Sequence, residues 1–404
     1  MLTCQLAAQD PVTVTTAPGN AMRTFYSLQN GVVDSRPMAE WDLAFEITGI
    51  TGSIQANTAK GIQLYKAPYS IAQWATLDTT GLAAGWPQQH NSETDWSSGA
   101  FNQDLTSNPF DLGWGIYNMI THNVVGDSCF VIKLADGQWK KLRIDGYASA
   151  TDSYTWTWAD LDGGNAQSNS LVRSQFAGRN FGYVSLESNN VFDGEPPANT
   201  WDLLFTRYMA FVPFPVPSMY PVAGVLQNRD IPVRRVNGVT PAYNDWSSGP
   251  FSDAINGIGF DWKTFNQQTF QWEYATDRVH FAQDRSGNIW KLVFMAYGGN
   301  ATGDMTFTQE MASATGIDAP TSGVLAIWPN PVRDGHLNVL LDGQSPTANV
   351  VLHDACGRMV REQRLNGLAH GVAASVDVSG LARGIYVVRI QSEGHAHSTR
   401  IVVE

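Results

Sequence analysis

One hairpin is written twice in this chain. Phe130-Val-Ile-Lys-Leu-Ala-Asp-Gly-Gln-Trp-Lys-Lys-Leu-Arg-Ile-Asp-Gly-Tyr147 reads as strand, Asp-Gly turn and strand. Phe281 to Tyr297 repeats it 150 positions later: Gly137 matches Gly287, Lys141 matches Lys291, Leu142 matches Leu292, Ile144 matches Phe294 and Tyr147 matches Tyr297. Upstream, Asp95-Trp-Ser-Ser-Gly99 recurs as Asp245-Trp-Ser-Ser-Gly249, and Trp41-Asp-Leu43 recurs as Trp201-Asp-Leu203. Ser27-Leu28 matches Ser185-Leu186. Landmarks kept in one order predict two copies of one β domain. In the first hairpin Phe130, Ile132 and Leu134 alternate on one face, as do Leu142 and Ile144. Sharing that face requires an odd-length loop, so three or five residues are expected, with Gly137 at positive φ.

The rest of the chain supports an all-β fold of two tandem domains plus a small C-terminal β-sandwich. Residues 1–10 read as the tail of a signal peptide, with a small-residue cleavage context at Ala7-Ala8-Gln9. The repeats are expected at 11–160 and 170–312. The polar stretch from Leu161 to Ser170 is expected to be a flexible connector, and Ala312 to Ser322 a second linker. Phe211-Val-Pro-Phe-Pro-Val-Pro217 is spaced by prolines that donate no ladder bond, which predicts an edge, turn or exposed loop. In residues 323–404 short strands recur about every dozen residues, as in a sandwich. No amphipathic helix longer than 12 residues is expected.

Composition narrows the function classes. The net charge is −12, so neither a phosphate backbone nor an anionic membrane is the expected partner, and no nucleic acid is expected. No run of about 18 apolar residues predicts a transmembrane segment. Cys4, Cys129 and Cys356 are too far apart for a disulfide framework or a CxxC metal site; buried thiols are expected at Cys129 and Cys356. No nucleophile elbow, zinc-protease, P-loop or dinucleotide fingerprint appears, so the chain is expected not to be an enzyme. Asp160 and Asp162 before Gly163 are two carboxylates where Ca²⁺ takes six to eight oxygens, so they could hold Ca²⁺ only weakly and a polar linker is the favoured reading. His395 and His397 could catch a metal adventitiously. Trp74, Trp86, Trp96, Trp114, Trp246 and Trp262 either fill cores or offer faces to a ligand. The repeated Asp-Trp-Ser-Ser-Gly favours structure: a side chain closing a turn, with Trp capping the end of a domain.

Two resemblances add to this. Trp328-Pro-Asn-Pro-Val332, Leu337-Asn-Val339, Asp354 with Gly357-Arg358, Leu381 with Gly384-Ile-Tyr386, and Arg400-Ile-Val-Val403 resemble the type A sorting domain of type IX secretion in Bacteroidetes-type bacteria. That likeness implies export through the outer membrane, contact with the type IX machinery through residues 323–404, and release or surface attachment. The repeats resemble the HmuY family of haem-binding surface proteins. The likeness rests on Tyr26, Ser27-Leu28, Trp41-Asp-Leu-Ala44, Lys141 and Tyr147, and on Tyr183, Ser185-Leu186, Trp201-Asp-Leu-Leu204, Arg207-Tyr208, Lys291 and Tyr297. The family implies haem held by two axial His or Met side chains on loops before the hairpin. Met119 and His122 in the first copy and Met209 in the second are the candidates here. The stretch from Phe265 to Tyr274 has neither His nor Met, and His280 is expected to be a packed or edge histidine. The expected function is therefore ligand capture of HmuY type, with haem or a porphyrin as cargo. The alternative is a non-enzymatic adhesion or scaffold protein.

Overall fold

The computed structural model describes residues 11–213, 215–313, 324–341, 347–354, 357–366, 373–392 and 395–404. The expected signal-peptide remnant, Cys4 and Cys356 lie outside these residues. The chain divides into two compact units after Ser313. The described residues are mostly β-strand, and their α-helices are two single turns, Leu82–Gly85 and Gly299–Thr302.

Both copies of the hairpin have the expected odd loop. Ser128–Lys133 pairs antiparallel with Trp139–Ala148, with Phe130 opposite Leu142. Leu134 and Gln138 close the loop (N–H to O, 2.9 Å), and Gly137 sits inside it at φ +91°. In the second copy Asp284 and Asn288 close the loop at 3.0 Å around Gly287, φ +85°. A β-carbon at such φ is strained, which is why Gly stands at both positions. Phe130, Ile132, Leu142 and Ile144 then face one core.

The repeats do not fold as the two successive bodies 11–160 and 170–312. Phe181–Ser185, from the second copy, pairs with Leu43–Glu46 of the first. Met22–Ser27, from the first copy, pairs with Leu203–Val212 of the second. Val12–Thr15 edges Asp304–Ser313, just as Gln167–Val172 edges Ser153–Asp160. The cores follow the strands. One gathers Leu43, Phe45, Ile132 and Trp156 with Leu171, Val184 and Leu186. The other gathers Val14, Tyr26 and Leu28 with Leu203, Phe205, Leu292 and Phe307. A first module therefore runs from residue 41 to 192, and a second from 203 to 313 is completed by residues 11–37. The cause is local. The expected connector is a tight turn, in which Gly163 donates to Asp160 at 2.8 Å and Asp160 to Gly164 at 2.9 Å. The chain doubles straight back, and residues 167–170 join an edge strand rather than a linker.

The Trp-Asp-Leu motif latches this exchange. The buried Asp42 carboxylate accepts the Leu186 N–H at 2.7 Å and the Lys60 ammonium at 2.8 Å. Asp202 accepts the Leu28 N–H at 2.7 Å. Each Asp thus holds the Ser-Leu landmark of the other repeat. The preceding tryptophans repeat the pattern, Trp41 packing edge-on against Tyr183 (5.4 Å) and Trp201 against Phe25 (5.1 Å). Asn57 binds the carbonyls of Met38 and Trp41, and Asn228 binds those of Ala198 and Trp201.

The second unit is a sandwich. Val324–Trp328, His336–Leu341 and Ala373–Asp377 form one sheet. Met359–Asn366, Thr347–His353, Gly384–Ser392 and His395–Val403 form the other. Leu337, Val339 and Val376 from the first meet Val350, Leu352, Val388 and Ile390 from the second. Asn330 ties the Trp-Pro-Asn-Pro segment to the last strand: it donates to Arg400 O (3.0 Å) and accepts from Val402 N (2.9 Å).

Removing a latch leaves buried partners unpaired. Asp42→Ala strands the Leu186 N–H and leaves the buried Lys60 ammonium with Glu187 alone (3.2 Å), and is expected to cost roughly 3 kcal/mol. Asp202→Ala strands chiefly one N–H and is expected to cost about 2 kcal/mol. Urea unfolding of the two variants checks the order; equal, near-zero losses would remove the latch.

Candidate ligand cleft between the repeated modules

The exchange brings two sheets together. Ala44, Phe181 and Tyr183 project from the first module, with Trp41 and Phe192 beside them. Phe25, Trp201, Leu204, Leu226 and Ile255 project from the second, with Tyr208 beside them. Trp96 packs against both groups. Its indole N–H donates to Gln227 O at 2.8 Å, and its carbonyl accepts from Ser53 Oγ at 2.8 Å. Arg229 pairs with the buried Glu46 at 2.9 Å, another bond between modules. The repeated Asp-Trp-Ser-Ser-Gly has thus diverged. Its Asp closes a turn in both copies, Asp95 on Ser97 N (2.8 Å) and Asp245 on Ser247 N (3.1 Å). Trp246, however, packs inside its own module beside Phe281.

Between the sheets lies a cleft of about 80 Å³, walled by Arg23, Trp41, Trp96, Tyr183, Tyr208 and Met209, among others. Arg23 is 3% exposed. It donates to Glu40 and to Gly194 O, both at 2.7 Å, and its guanidinium lies 4.4 Å from the Tyr183 ring centre. Behind Tyr183 sits the fully buried Glu195. It accepts the Tyr183 hydroxyl at 2.8 Å, Phe181 N at 3.2 Å and a short bond from Asn180 N. Burial outweighs these donors and pushes the Glu195 carboxyl up to about 7. Burial, then the neighbouring Glu195, raises the Tyr183 phenol well above its ordinary value. Burial also raises Tyr208. Among the described residues, four buried polar atoms of the wall side chains lack a partner: Arg23 Nε, Trp41 Nε1, Arg207 Nε and the Tyr208 hydroxyl. Three of these can only donate, so an acceptor is what each lacks.

Of the expected haem ligands, only Met209 lines this cleft. Met119 and His122 sit on the turn between Gly115–Tyr117 and Val124–Gly126, where Met119 is 63% exposed. His122 has φ +56°, and its Nδ1 shares a 2.7 Å hydrogen bond with Tyr117. In the other module Phe270 takes the matching place at φ +54°. The Asn118 and Asn266 side chains close the two turns alike, on Ile120 N (2.9 Å) and Gln268 N (2.8 Å). A shared turn geometry therefore accounts for position 122 in both modules. His280 is packed, as expected, with neither ring nitrogen bonded and its pKa pushed well below the ordinary range by burial. Asp160 pairs with Lys140 and with Asn165 (2.7 Å), and Asp162 accepts Gly164 N (2.8 Å), so both serve the turn. Among the described residues no cluster of three His, Cys, Asp or Glu could hold a metal. The side chains of His395 and His397 lie outside the described set. Cys129 is buried, and Trp114 and Trp262 fill the cores.

Sequence reasoning did not single out Arg23 or Glu195. Arg23 carried one usable signal, a lone charge within the strand Met22–Ser27. Glu195 carried none, because its burial depends on strand exchange.

Comparison with known proteins decides the C-terminal unit. Residues 326–404 match the model of the secretion system C-terminal sorting domain. These residues are a type IX sorting domain. The sorting domain engages the secretion machinery and directs the chain to the cell surface or extracellular space. No curated protein matches the chain. Among solved structures, dimeric latent PorU from Porphyromonas gingivalis aligns with 97% of this chain at 11% identity and TM-score 0.17. The chain spans 41% of that protein's length. A biofilm-associated protein BSP domain aligns with 95% of this chain, and 76% of its own, at 10% identity and TM-score 0.19. Scores this low carry no argument about fold or function.

Two outcomes are expected. Deletion of residues 323–404 is expected to retain the otherwise exported protein in the periplasm; equal export of both forms in cell fractionation would refute this. For Glu195, the folded state binds a proton up to about pH 7 that the unfolded state loses near 4.5, so its contribution to stability falls as pH rises through that window. Thermal unfolding of Glu195→Gln against the parent should show the variant gaining relative stability between pH 5 and pH 8. A constant difference would contradict the buried carboxyl.

Proposed function

We propose that the exported body is a non-enzymatic capture protein that holds a small, oxygen-rich ring in the cleft between its two modules. The observation that carries this reading is the set of unpaired donors on Arg23, Trp41, Arg207 and Tyr208 within an aromatic wall. Each buried, unbonded donor costs about 1–3 kcal/mol, a penalty that a ligand acceptor would relieve. The aromatic lining from Trp41, Trp96 and Tyr183 suits the apolar side of a sugar or carboxylated ring. Size sets the limit: about 80 Å³ is well below the roughly 300–1,000 Å³ of sites that enclose drug-sized ligands. A monocyclic uronic acid fits that description better than a whole porphyrin.

Haem capture of HmuY type is the second reading, favoured by Met209 on the cleft wall, whose thioether is a suitable iron ligand. Its tetrapyrrole would have to open the cleft or enter by an edge. Titration of the full chain followed by tryptophan fluorescence, with glucuronate and separately with haemin, tests both. Saturable quenching by glucuronate, weakened at least tenfold in Tyr208→Phe, supports the first reading. A saturable Soret shift lost in Met209→Leu and kept in Met119→Ala and His122→Ala supports the second. Saturation by neither would leave adhesion or scaffolding as the function.

A further inference from the structure

The second repeat contains an element that the first lacks. Asn57 follows Trp41 by sixteen positions in the first copy, and the matching Asn228 follows Trp201 by twenty-seven in the second. The extra length forms a two-stranded ribbon, Leu203–Val212 against Ser218–Gln227, paired at every position from Leu203 opposite Gln227 to Val212 opposite Ser218. Met22–Ser27 supports only its root, Leu203 to Phe205. Beyond that root Phe211 is 51% exposed, Val216 70% and Tyr220 59%. Pro213, Pro215, Pro217 and Pro221 surround them, also exposed.

We propose that the outer end of this ribbon is a membrane-docking tip that inserts its apolar side chains into the surface of an uncharged lipid bilayer. Three properties of the ribbon favour a lipid occupant. First, residues 208–227 contain no charged side chain, in a chain where 15% of residues are charged. No ion has to leave water when the tip enters an apolar phase. Second, the strands pair with each other up to Val212 and Ser218, and Pro213, Pro215 and Pro217 in the turn beyond them carry no N–H, so the turn that enters first brings few backbone donors out of water. Third, Phe211, Val216 and Tyr220 give an apolar end with a phenol able to stay at the wet boundary. The rest of the chain sets the lipid class. A body of net charge −12 is repelled by anionic headgroups, so attachment rests on apolar contact and favours zwitterionic lipid. The sorting domain carries the chain to the cell surface, where such a surface is within reach.

Flotation of the full chain with phosphatidylcholine vesicles tests the proposal. Parent protein is expected to float with the vesicles, to do so as well or better at 0.5 M salt, and to float less when anionic lipid is added. Val216→Asp, and Phe211→Ser combined with it, are expected to lower bound protein at least tenfold while thermal unfolding stays unchanged. Failure of the parent to float, or equal flotation of the variants, overturns the proposal. So does self-association in light scattering that the variants abolish without any vesicle binding, which would assign the tip to a second copy of the chain.

Discussion

Two carboxylates hold the repeated body together, each gripping a backbone amide that belongs to the other repeat. Asp42 on Leu186 and Asp202 on Leu28 fix where each opening strand lies, and the sheets, cores and cleft all depend on that placement. A buried carboxylate is stable only while fully bonded, which makes the register specific. A strand that slipped by one residue would leave the acid facing nothing and turn its apolar side chains the wrong way. The tryptophans before each Asp add an edge-to-face contact to the same strand, so one short motif supplies both a polar and an apolar constraint.

Symmetry brings the modules together, and departures from it equip the cleft. Trp41 and Trp201 stand in matched places, yet the strand after Trp201 runs on to present Arg207, Tyr208 and Met209, where the first copy turns away at Gly49 and Gly52. Position 23 is Arg in one opening strand and its counterpart is Phe181 in the other, so one strand brings a guanidinium to the rings where the other brings a further ring. Glu195 supports this arrangement from behind, through Tyr183. Duplication thus built a frame of two like halves, and a few unlike residues gave the space between them a direction.

Much of this was legible in the sequence because it is local. The odd loop around Gly137, the turn closed by Asp95 and the alternation of Phe130 and Ile132 all follow from spacing within a few residues. The sorting domain was legible for a related reason, since Asn330 and Tyr386 belong to short segments with a fixed pattern. The frame of the repeats was not legible. Ser27-Leu28 and Ser185-Leu186 look alike whichever module they complete, and only long-range pairing decides between the two closures. The same gap hid Arg23 and Glu195, which acquire their neighbours by exchange. Conversely, Met119 and His122 looked chemically suitable because residue type was visible and turn geometry was not.

Closure of the second module by residues 11–37 also imposes an order in time. Any process that delivers the chain from its first residue to its last releases Val14, Tyr26 and Leu28 at the start. Their partner Phe205 arrives more than 170 residues later, and Leu292 and Phe307 more than 260 later. Residues 41–192 can complete a module from one continuous stretch, while the opening strands wait with their apolar faces unsatisfied. At ordinary synthesis rates that wait lasts tens of seconds. The second module is therefore obliged to stay open until the strand Asp304–Ser313 has been delivered, and a chain bound for export is kept partly unfolded by its own topology.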